Sequence, residues 1–502
     1  MTIYYLFGLG VLVYLLNGFK NLLSSFQFFK NESRLRDLNL NLGMTSNNFK
    51  IIILIPVLRE QEVIATNLEI FSHLNGDYEL IYITTEKENF EKKSGLSILE
   101  SRKNSLLQIR SKDSFVETLV GIFPKSLASD LFEGKAQFLD IKKYWNYIVE
   151  SYNNLPTTEK IITEYLQKNK FDNVQLINFP SENGVMAHQL NYACNQISLT
   201  HDPKQTFILV YNADSTVDKD ILRVFVQAIQ KGEKVMLQSS LFLSNYNTFS
   251  LNFRGWILKC IALAQSRWTF IHELARVRAQ YKQNWHTIYE SAHVVGHGTC
   301  IRLDTLMSVG GFPHKFVNED FALGYFLALK GERIYSIPIL ENAESPTSIS
   351  SVITQYTTWF YGVMDYFLYY KYAVNELSLN SFRALSYSII NSIRALMWLL
   401  APWVWLGLII IPLFFGRPLL SFFALLIFLF FTIFVYWLIA NFVSKNPQVL
   451  GKEKFSIRIE KGMIFVAPIA YIIWGIGPTR SLMQKIWSRI SGRALQKKKT
   501  ER

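Results

Sequence analysis

The chain has 502 residues, half of them hydrophobic, and its 38 Phe, 25 Tyr and 11 Trp are concentrated toward the ends. With a positive mean hydropathy, this composition excludes an ordinary soluble enzyme and implies one large domain beside lipid-facing segments. Much of the net charge of +13 lies next to apolar runs, so contact with anionic membrane lipid explains it better than nucleic acid, which is not expected as a partner. Cys194, Cys260 and Cys300 are too far apart for a Cys-x-x-Cys pair, which excludes a disulfide framework and a cysteine zinc site and fits a reduced cytosol.

In chain order, Ile3–Phe19 is apolar and close to the roughly 20 residues that cross a bilayer. It reads as a retained anchor over residues 1–20, followed by a cytoplasmic or interfacial linker over 21–49. Residues 50–350 alternate short apolar runs with longer amphipathic stretches, the pattern of a mostly parallel α/β sheet covered by helices. Lys50–Pro56, Tyr78–Thr84, Val174–Asn178 and Thr206–Tyr211 read as buried strands, and residues 86–172 as a helical insertion. Ligands of open α/β sheets bind beyond the carboxyl ends of the strands, so polar residues placed just after these runs are the first candidates for chemistry.

Asp214 in Asn212-Ala213-Asp214-Ser215 is such a residue. An exposed carboxylate past a strand end suits Mg2+ or Mn2+, while the plainer reading is a turn cap made with Ser215. Asn318-Glu319-Asp320, after the Gly310-Gly311 turn, places two acids at the start of a helix over Phe321–Lys330. They read either as helix-capping charges or as a general base with its neighbour. Leu251–Tyr281, with Trp256, Trp268, Arg267, Arg276 and Arg278, resembles an interfacial amphipathic helix, and buried core packing with a solvated face is an equal reading. His293 and His297 stand four apart, but Gly296 and Gly298 argue against a helical zinc pair, leaving His297 as a pocket-lining residue or ordinary loop packing.

Residues 351–394 form a Gln-x-x-x-Trp segment with interfacial helices, and 395–480 carry the apolar runs Ala395–Phe415, Leu419–Val443 and Gly462–Pro478. The first two read as a transmembrane hairpin, and the third as a crossing, a re-entrant segment or an interfacial helix. Lys20, Lys30, Arg34, Arg36, Arg383 and Arg394 place residues 20–394 in the cytoplasm of a plasma-membrane protein. A single crossing at Gly462–Pro478 would carry the basic tail, residues 481–502, outside against the same rule, unless a further crossing lies near Ser386–Trp403.

The order of these features resembles family 2 glycosyltransferases of the cellulose, hyaluronan and poly-N-acetylglucosamine synthase type. Ile55-Pro56 with Glu60 resembles that family's opening strand and acidic residue, and Asn212-Ala213-Asp214 its Asp-x-Asp metal motif. Gly296-His297-Gly298 through Gly310-Gly311-Phe312 resembles its acceptor-side segment. Asn318-Glu319-Asp320 is similar to its Thr-Glu-Asp motif, and Gln355-Tyr356-Thr357-Thr358-Trp359 to its Gln-x-x-Arg-Trp motif. The resemblance implies a GT-A fold with transmembrane helices at both ends, and an inverting transfer from a nucleotide-sugar donor to a lipid-linked or polysaccharide acceptor, with an oligomeric or export partner. It makes Asp320 the base with Glu319 beside it, and Asp214 with Asn212 the Mg2+ or Mn2+ site. Pro56, Glu60, Glu86, Asn191, Gln355 and Trp359 would line the donor, and His297, Gly298 and Trp359 the acceptor.

Four departures accompany the resemblance. Asn212 replaces an Asp, Glu86 follows Thr84-Thr85 where a nucleobase-binding Asp is usual, Met186 stands near the place of a Lys, and Thr358 replaces the Arg that would pair with a diphosphate. They leave open a degenerate scaffold for an active partner. A membrane transporter is a distant third reading, since the long apolar runs contain no charge.

Overall fold

A computed structural model describes residues 2–39, 48–119, 121–282 and 292–492. Residues 40–47 of the expected linker, and Arg493 and Lys497–Lys499 of the basic tail, lie outside the described residues. The chain divides into two compact units, one of residues Phe49–Ser215 and one of Met1–Asn48 with Thr216–Arg502.

The first unit is built on β1 (Lys50–Pro56), β2 (Glu79–Thr85), β3 (Val174–Phe179) and β4 (Thr206–Val210). They lie in the order β3-β2-β1-β4, and every pairing is parallel. Ile51 through Ile55 are 0–1% exposed. An unbroken apolar run of this kind is what a strand covered on both faces requires. All four strands fall within one residue of the spans read from the sequence. Between β2 and β3, helices from Glu86–Ser101 to Thr158–Lys168 form the expected insertion. It closes on its own core, which includes Leu99, Leu106, Phe115, Leu131, Trp145 and Ile148.

The second unit contains β5 (Val235–Leu237), β6 (Ser240–Leu241), β7 (Thr299–Arg302), β8 (Ile334–Ser336) and β9 (Glu341–Asn342). β5 pairs antiparallel with β7 and parallel with β8, and β6 pairs parallel with β9. Leu251–Tyr281 is not a surface amphipathic helix. It forms Phe253–Trp268, a π-helical turn Thr269–Glu273 and Leu274–Lys282. Residues Ile257 through Ser266 are buried on every side, because Met463–Ser491 and Val435–Lys445 pack against them.

Among the described residues, four helices are long and apolar enough to cross a membrane: Gly8–Glu32, Ser381–Phe414, Pro418–Lys445 and Met463–Ser491. The first belongs to a helix Thr2–Asn39 that continues without a break into the expected linker. Ser381–Phe414 starts well before the apolar run read from the sequence, so Ser386–Trp403 is part of this helix and not a separate crossing. At about 1.5 Å per residue, its 34 residues exceed the roughly 30 Å hydrocarbon core, so part of it stands outside the core.

Met463–Ser491 is the most enclosed of the four, and small residues set its contacts. A Cβ on Gly475 would lie 2.8 Å from Pro402 Cγ, and one on Gly477 would lie 2.4 Å from Tyr356 Cβ and 3.0 Å from Thr357 N. The second glycine lets the helix lie flush against Ile349–Val363, where Thr357 Oγ1 donates to Gly477 O at 3.3 Å. Overfilling such a contact costs about 1–3 kcal/mol. Gly477→Val is therefore expected to lower the thermal midpoint of detergent-purified protein by several degrees. Gly10→Ala, at a helical position with open space around it, is expected to leave it unchanged or slightly raised.

Candidate active site

In the first unit the candidate donor residues gather where the parallel strands end. Val57 N donates to Ile83 O at 3.0 Å, and Gln189 Nε2 donates to Val57 O at 3.2 Å and Ile83 O at 3.1 Å. Gln189 lies on the helix Met186–Thr200 that also carries Asn191, so one buried amide ties that helix to the ends of β1 and β2. Pro56 closes β1 and is buried.

The loop after Pro56 holds Arg59 at φ 56°, a left-handed conformation that a side chain adopts only under constraint. Glu88 supplies the constraint. Its carboxylate, 5% exposed, accepts from Arg59 N at 3.0 Å, Gln61 Nε2 at 3.0 Å, Thr158 N at 2.7 Å and Thr158 Oγ1 at 3.0 Å. Thr158 Oγ1 in turn accepts from Glu60 N at 2.9 Å. Glu60 is thus positioned through a carboxylate that sequence reading did not single out.

Glu86 opens the helix after β2 and accepts from Asn89 Nδ2 at 3.2 Å and from Asn178 at the end of β3. Thr84 Oγ1 donates to Asn178 Oδ1 at 3.2 Å, which joins the two strand ends. Beyond β4, Ser215 N donates to Asn212 O at 3.1 Å and Asn212 N donates to Ser215 Oγ at 3.3 Å. Ser215 therefore closes the turn on which Asp214 is displayed, half-buried. Beneath it, Tyr82 Oη donates to Asn67 Oδ1 at 2.9 Å, and Asn67 Nδ2 reaches Asn212 O at 3.4 Å.

Among the described residues no group of three or more His, Cys, Asp or Glu could hold a metal ion. The chemistry of the turn, one carboxylate and one amide oxygen, fits a hard divalent cation whose other ligands are phosphate oxygens and water. It does not fit a cation caged by protein alone.

The second unit carries the other candidates. Asp320 is half-buried in the first turn of Glu319–Lys330, where its Oδ1 accepts from Phe321 N at 2.8 Å, and Glu319 is 7% exposed. A Cβ on Gly362 would sit 2.8 Å from Asn318 Cβ, so the helix bearing Gln355 and Trp359 approaches the acids through a glycine. Phe321 stacks on His293 at 4.5 Å. Burial and then the Arg276 charge push the His293 imidazole down to about 3, so it is neutral under the flanking Phe321 at physiological pH. Burial raises the carboxyl of Glu273, whose Oε2 lies 3.9 Å from His293 Nε2.

His297 and His293 do not form a metal pair, since each faces its own carboxylate. Glu341 Oε2 lies 2.6 Å from His297 Nδ1 and also accepts from Ser240 Oγ at 2.8 Å. This places a proton on Nδ1. Gly298, at φ 67°, could not carry a side chain, because its Cβ would lie 2.6 Å from Gln238 O. Gln355, 3% exposed, accepts from Gln265 Nε2 at 2.6 Å. Trp359 is half-buried with its ring 5.7 Å from those of Phe242 and Tyr356. Thr358 turns inward and donates to Thr354 O of its own helix at 3.0 Å.

Glu88, Gln189, Gln265 and Glu341 have no motif around them in the sequence. Each acts on a loop or helix far away along the chain, so only folding reveals it.

No curated protein matches this chain by sequence similarity. Among solved structures, the mannosyltransferase PcManGT from Pyrobaculum calidifontis, solved with GDP-Man and Mn2+, is similar at 11% identity and a TM-score of 0.41, over 94% of this chain and 99% of that one. Residues 1–349 of S. aureus TarS are similar at 10% identity and a TM-score of 0.36, over 87% of this chain and 92% of that one. Neither likeness is close enough to carry an argument. The model of the family described as "Glycosyl transferase family group 2" matches residues 207–439. That span, a little under half of the chain, runs from β4 through Asp214, Asp320 and Gln355–Trp359 into the helix Pro418–Lys445, and over it the chain is similar to family 2 glycosyltransferases.

Proposed function

We propose that the chain is an inverting glycosyltransferase that moves a sugar from a nucleotide-sugar donor to a lipid-linked or growing polysaccharide acceptor at the cytoplasmic face of the plasma membrane, for a surface glycan. The observation that carries this reading is Asp320, a half-buried carboxylate held by the Phe321 amide at a helix start, on the helix that Gly362 brings close to the Trp359 segment. Asp320 takes the acceptor hydroxyl proton as that oxygen bonds to the anomeric carbon, and the bond from that carbon to the diphosphate breaks with the electron pair leaving on phosphate. Asp214 with Asn212 would hold Mg2+ or Mn2+, which offsets the charge developing on the diphosphate. Pro56, Glu60, Glu86 and Asn191, at or beside the strand ends, would face the donor. Trp359 offers a flat apolar face to a sugar, and His297, oriented by Glu341, would hydrogen-bond an acceptor hydroxyl.

The membrane reading draws on the same packing. Met463–Ser491 touches the helices of the second unit at both ends: Tyr246 Oη lies 3.5 Å from Met463 Sδ, and Lys485 pairs with Asp365. A helix held at both ends by residues expected in the cytoplasm favours three crossings, with the basic tail on the catalytic side as its charge requires.

A scaffold role is favoured by the loss of one carboxylate at Asn212 and of a cation at Thr358. Manganese-dependent donor hydrolysis by the purified protein would dismiss it.

Three outcomes are expected. Asp320→Asn, which keeps the size and capping ability of the side chain, is expected to lower turnover at least about a hundredfold with donor affinity preserved. Near-normal transfer by the folded variant would move the base elsewhere, with Glu319 next. Asp214→Ala is expected to abolish manganese-dependent donor binding in a thermal-shift assay; unchanged affinity in saturating manganese would remove Asp214 from the metal site. A cysteine introduced in the 86–172 insertion is expected to resist a membrane-impermeant thiol reagent in intact cells and to react after lysis. Labelling from outside would reverse the assigned orientation.

A further inference from the structure

Each of the four residues Arg59 to Glu62, in the loop after β1, is bonded to the helical insertion between β2 and β3. The bonds come from along the whole insertion. Arg59 Nη1 donates to Gly121 O at 2.9 Å, and Arg59 Nε lies 3.4 Å from Glu91 Oε2. Glu60 N donates to Thr158 Oγ1 at 2.9 Å, Gln61 Nε2 to Pro156 O at 3.4 Å, and Ser126 N to Glu62 Oε1 at 2.6 Å. Gly121, at φ 77°, admits the guanidinium, since a Cβ there would lie 3.1 Å from Arg59 Nη1. Thr158 links these bonds to the buried Glu88: its hydroxyl donates to that carboxylate at 3.0 Å while it accepts from Glu60 N.

The insertion has a core of its own, running from Leu99 to Tyr152 and containing no residue of this loop. The bonds therefore act on the loop more than on the insertion. Among the described residues, Arg59 and Ser378 are the non-glycine positions with φ in the left-handed region, at 56° and 51°. Such a conformation persists only where the surroundings over-determine it, and it gathers at ligand clamps. A loop released from these bonds samples other conformations. The apparent affinity of a ligand that needs the held conformation then falls with the fraction of molecules that keep it.

We propose that the insertion is the positioning element of the donor site, with Arg59 and Thr158 as positioning residues that need not touch the donor. The insertion holds residues 59–62 in the one conformation that presents Glu60 after the carboxyl end of β1, and so sets the affinity for the nucleoside diphosphate part of the donor. Thr158 fixes the Glu60 amide from one side, and the Arg59 guanidinium, seated on Gly121 O and Glu91, fixes the preceding residue from the other. The donor role of Glu60 rests on the proposed function; the hold on the loop stands on the bonds themselves.

The test uses full-length protein in detergent with Mn2+ and two readouts. Hydrogen exchange at the amides of residues 59–64 reports the loop. Thermal shift with UDP, GDP, CDP and thymidine diphosphate reports the donor site, and the nucleotide that binds the wild type most tightly is then used for every variant. Thr158→Val keeps the shape of the side chain and removes its hydroxyl. It is expected to speed loop exchange about tenfold or more and to weaken nucleotide binding about fivefold or more, with Thr158→Ser restoring both. Arg59→Gly accepts the left-handed conformation but lacks the guanidinium, and is expected to act in the same direction, Arg59→Lys less. Phe115→Leu, in the core of the insertion, is expected to lower the thermal midpoint with nucleotide affinity unchanged. An equal loss of affinity in Phe115→Leu would reduce the effect to general stability and overturn the proposal, as would unchanged loop exchange in Thr158→Val and Arg59→Gly. Faster exchange with unchanged affinity, or no binding of any of the four nucleotides, would overturn the link to the donor. Wild-type affinity in Glu60→Gln would instead remove Glu60 from the donor contacts of the proposed function. If Thr158→Val fails to fold, Arg59→Gly decides.

Discussion

A carboxylate removed from water must be surrounded by hydrogen-bond donors, and each unit builds its chemical loops around one such group. In the first, Glu88 gathers donors from the loop after β1 and from the start of Thr158–Lys168, and holds Arg59 in a left-handed conformation. In the second, Glu341 at the start of β9 receives His297 and Ser240. Neither group is expected to touch a substrate. Each makes the position of a proposed contact residue, Glu60 or His297, a consequence of buried hydrogen bonds and not of a free loop.

The strand ends follow the same logic with neutral groups. Parallel strands leave carbonyls unpaired at their carboxyl edge, and Gln189 and Asn67 supply amide donors there. The edge becomes rigid enough to present Asp214 on a turn closed by Ser215. Catalysis by orientation depends on this stiffness, since small misplacements of a reacting group are costly.

In the membrane-associated helices, contact distance takes the place of hydrogen bonding. Gly475 and Gly477 let Met463–Ser491 approach Pro402 and Tyr356 closely, as small residues do where lipid supplies no hydrophobic drive between helices. Gly362 does the same between the Trp359 helix and Asn318. Glycines thus set the spacing from the apolar helices to the acids.

Much of the fold was legible in the chain because it depends on local pattern. Apolar runs of strand length gave β1 to β4 within a residue, the break in period marked the insertion, and the apolar lengths announced the membrane helices. The places of Asp214 past a strand end and of Asp320 at a helix start were legible because a carboxylate in such a position keeps its place whatever packs behind it. The pattern of Leu251–Tyr281 does not separate an interfacial helix from core packing, since its arginines and tryptophans suit an interface and only the helices packed on it show that it is core. For the same reason Glu88, Gln189 and Glu341 could not be foreseen. Sequence by itself determined which residues are able to do chemistry; tertiary structure decided which of them share a site, because burial and hydrogen-bond partners come from residues that are distant in the chain.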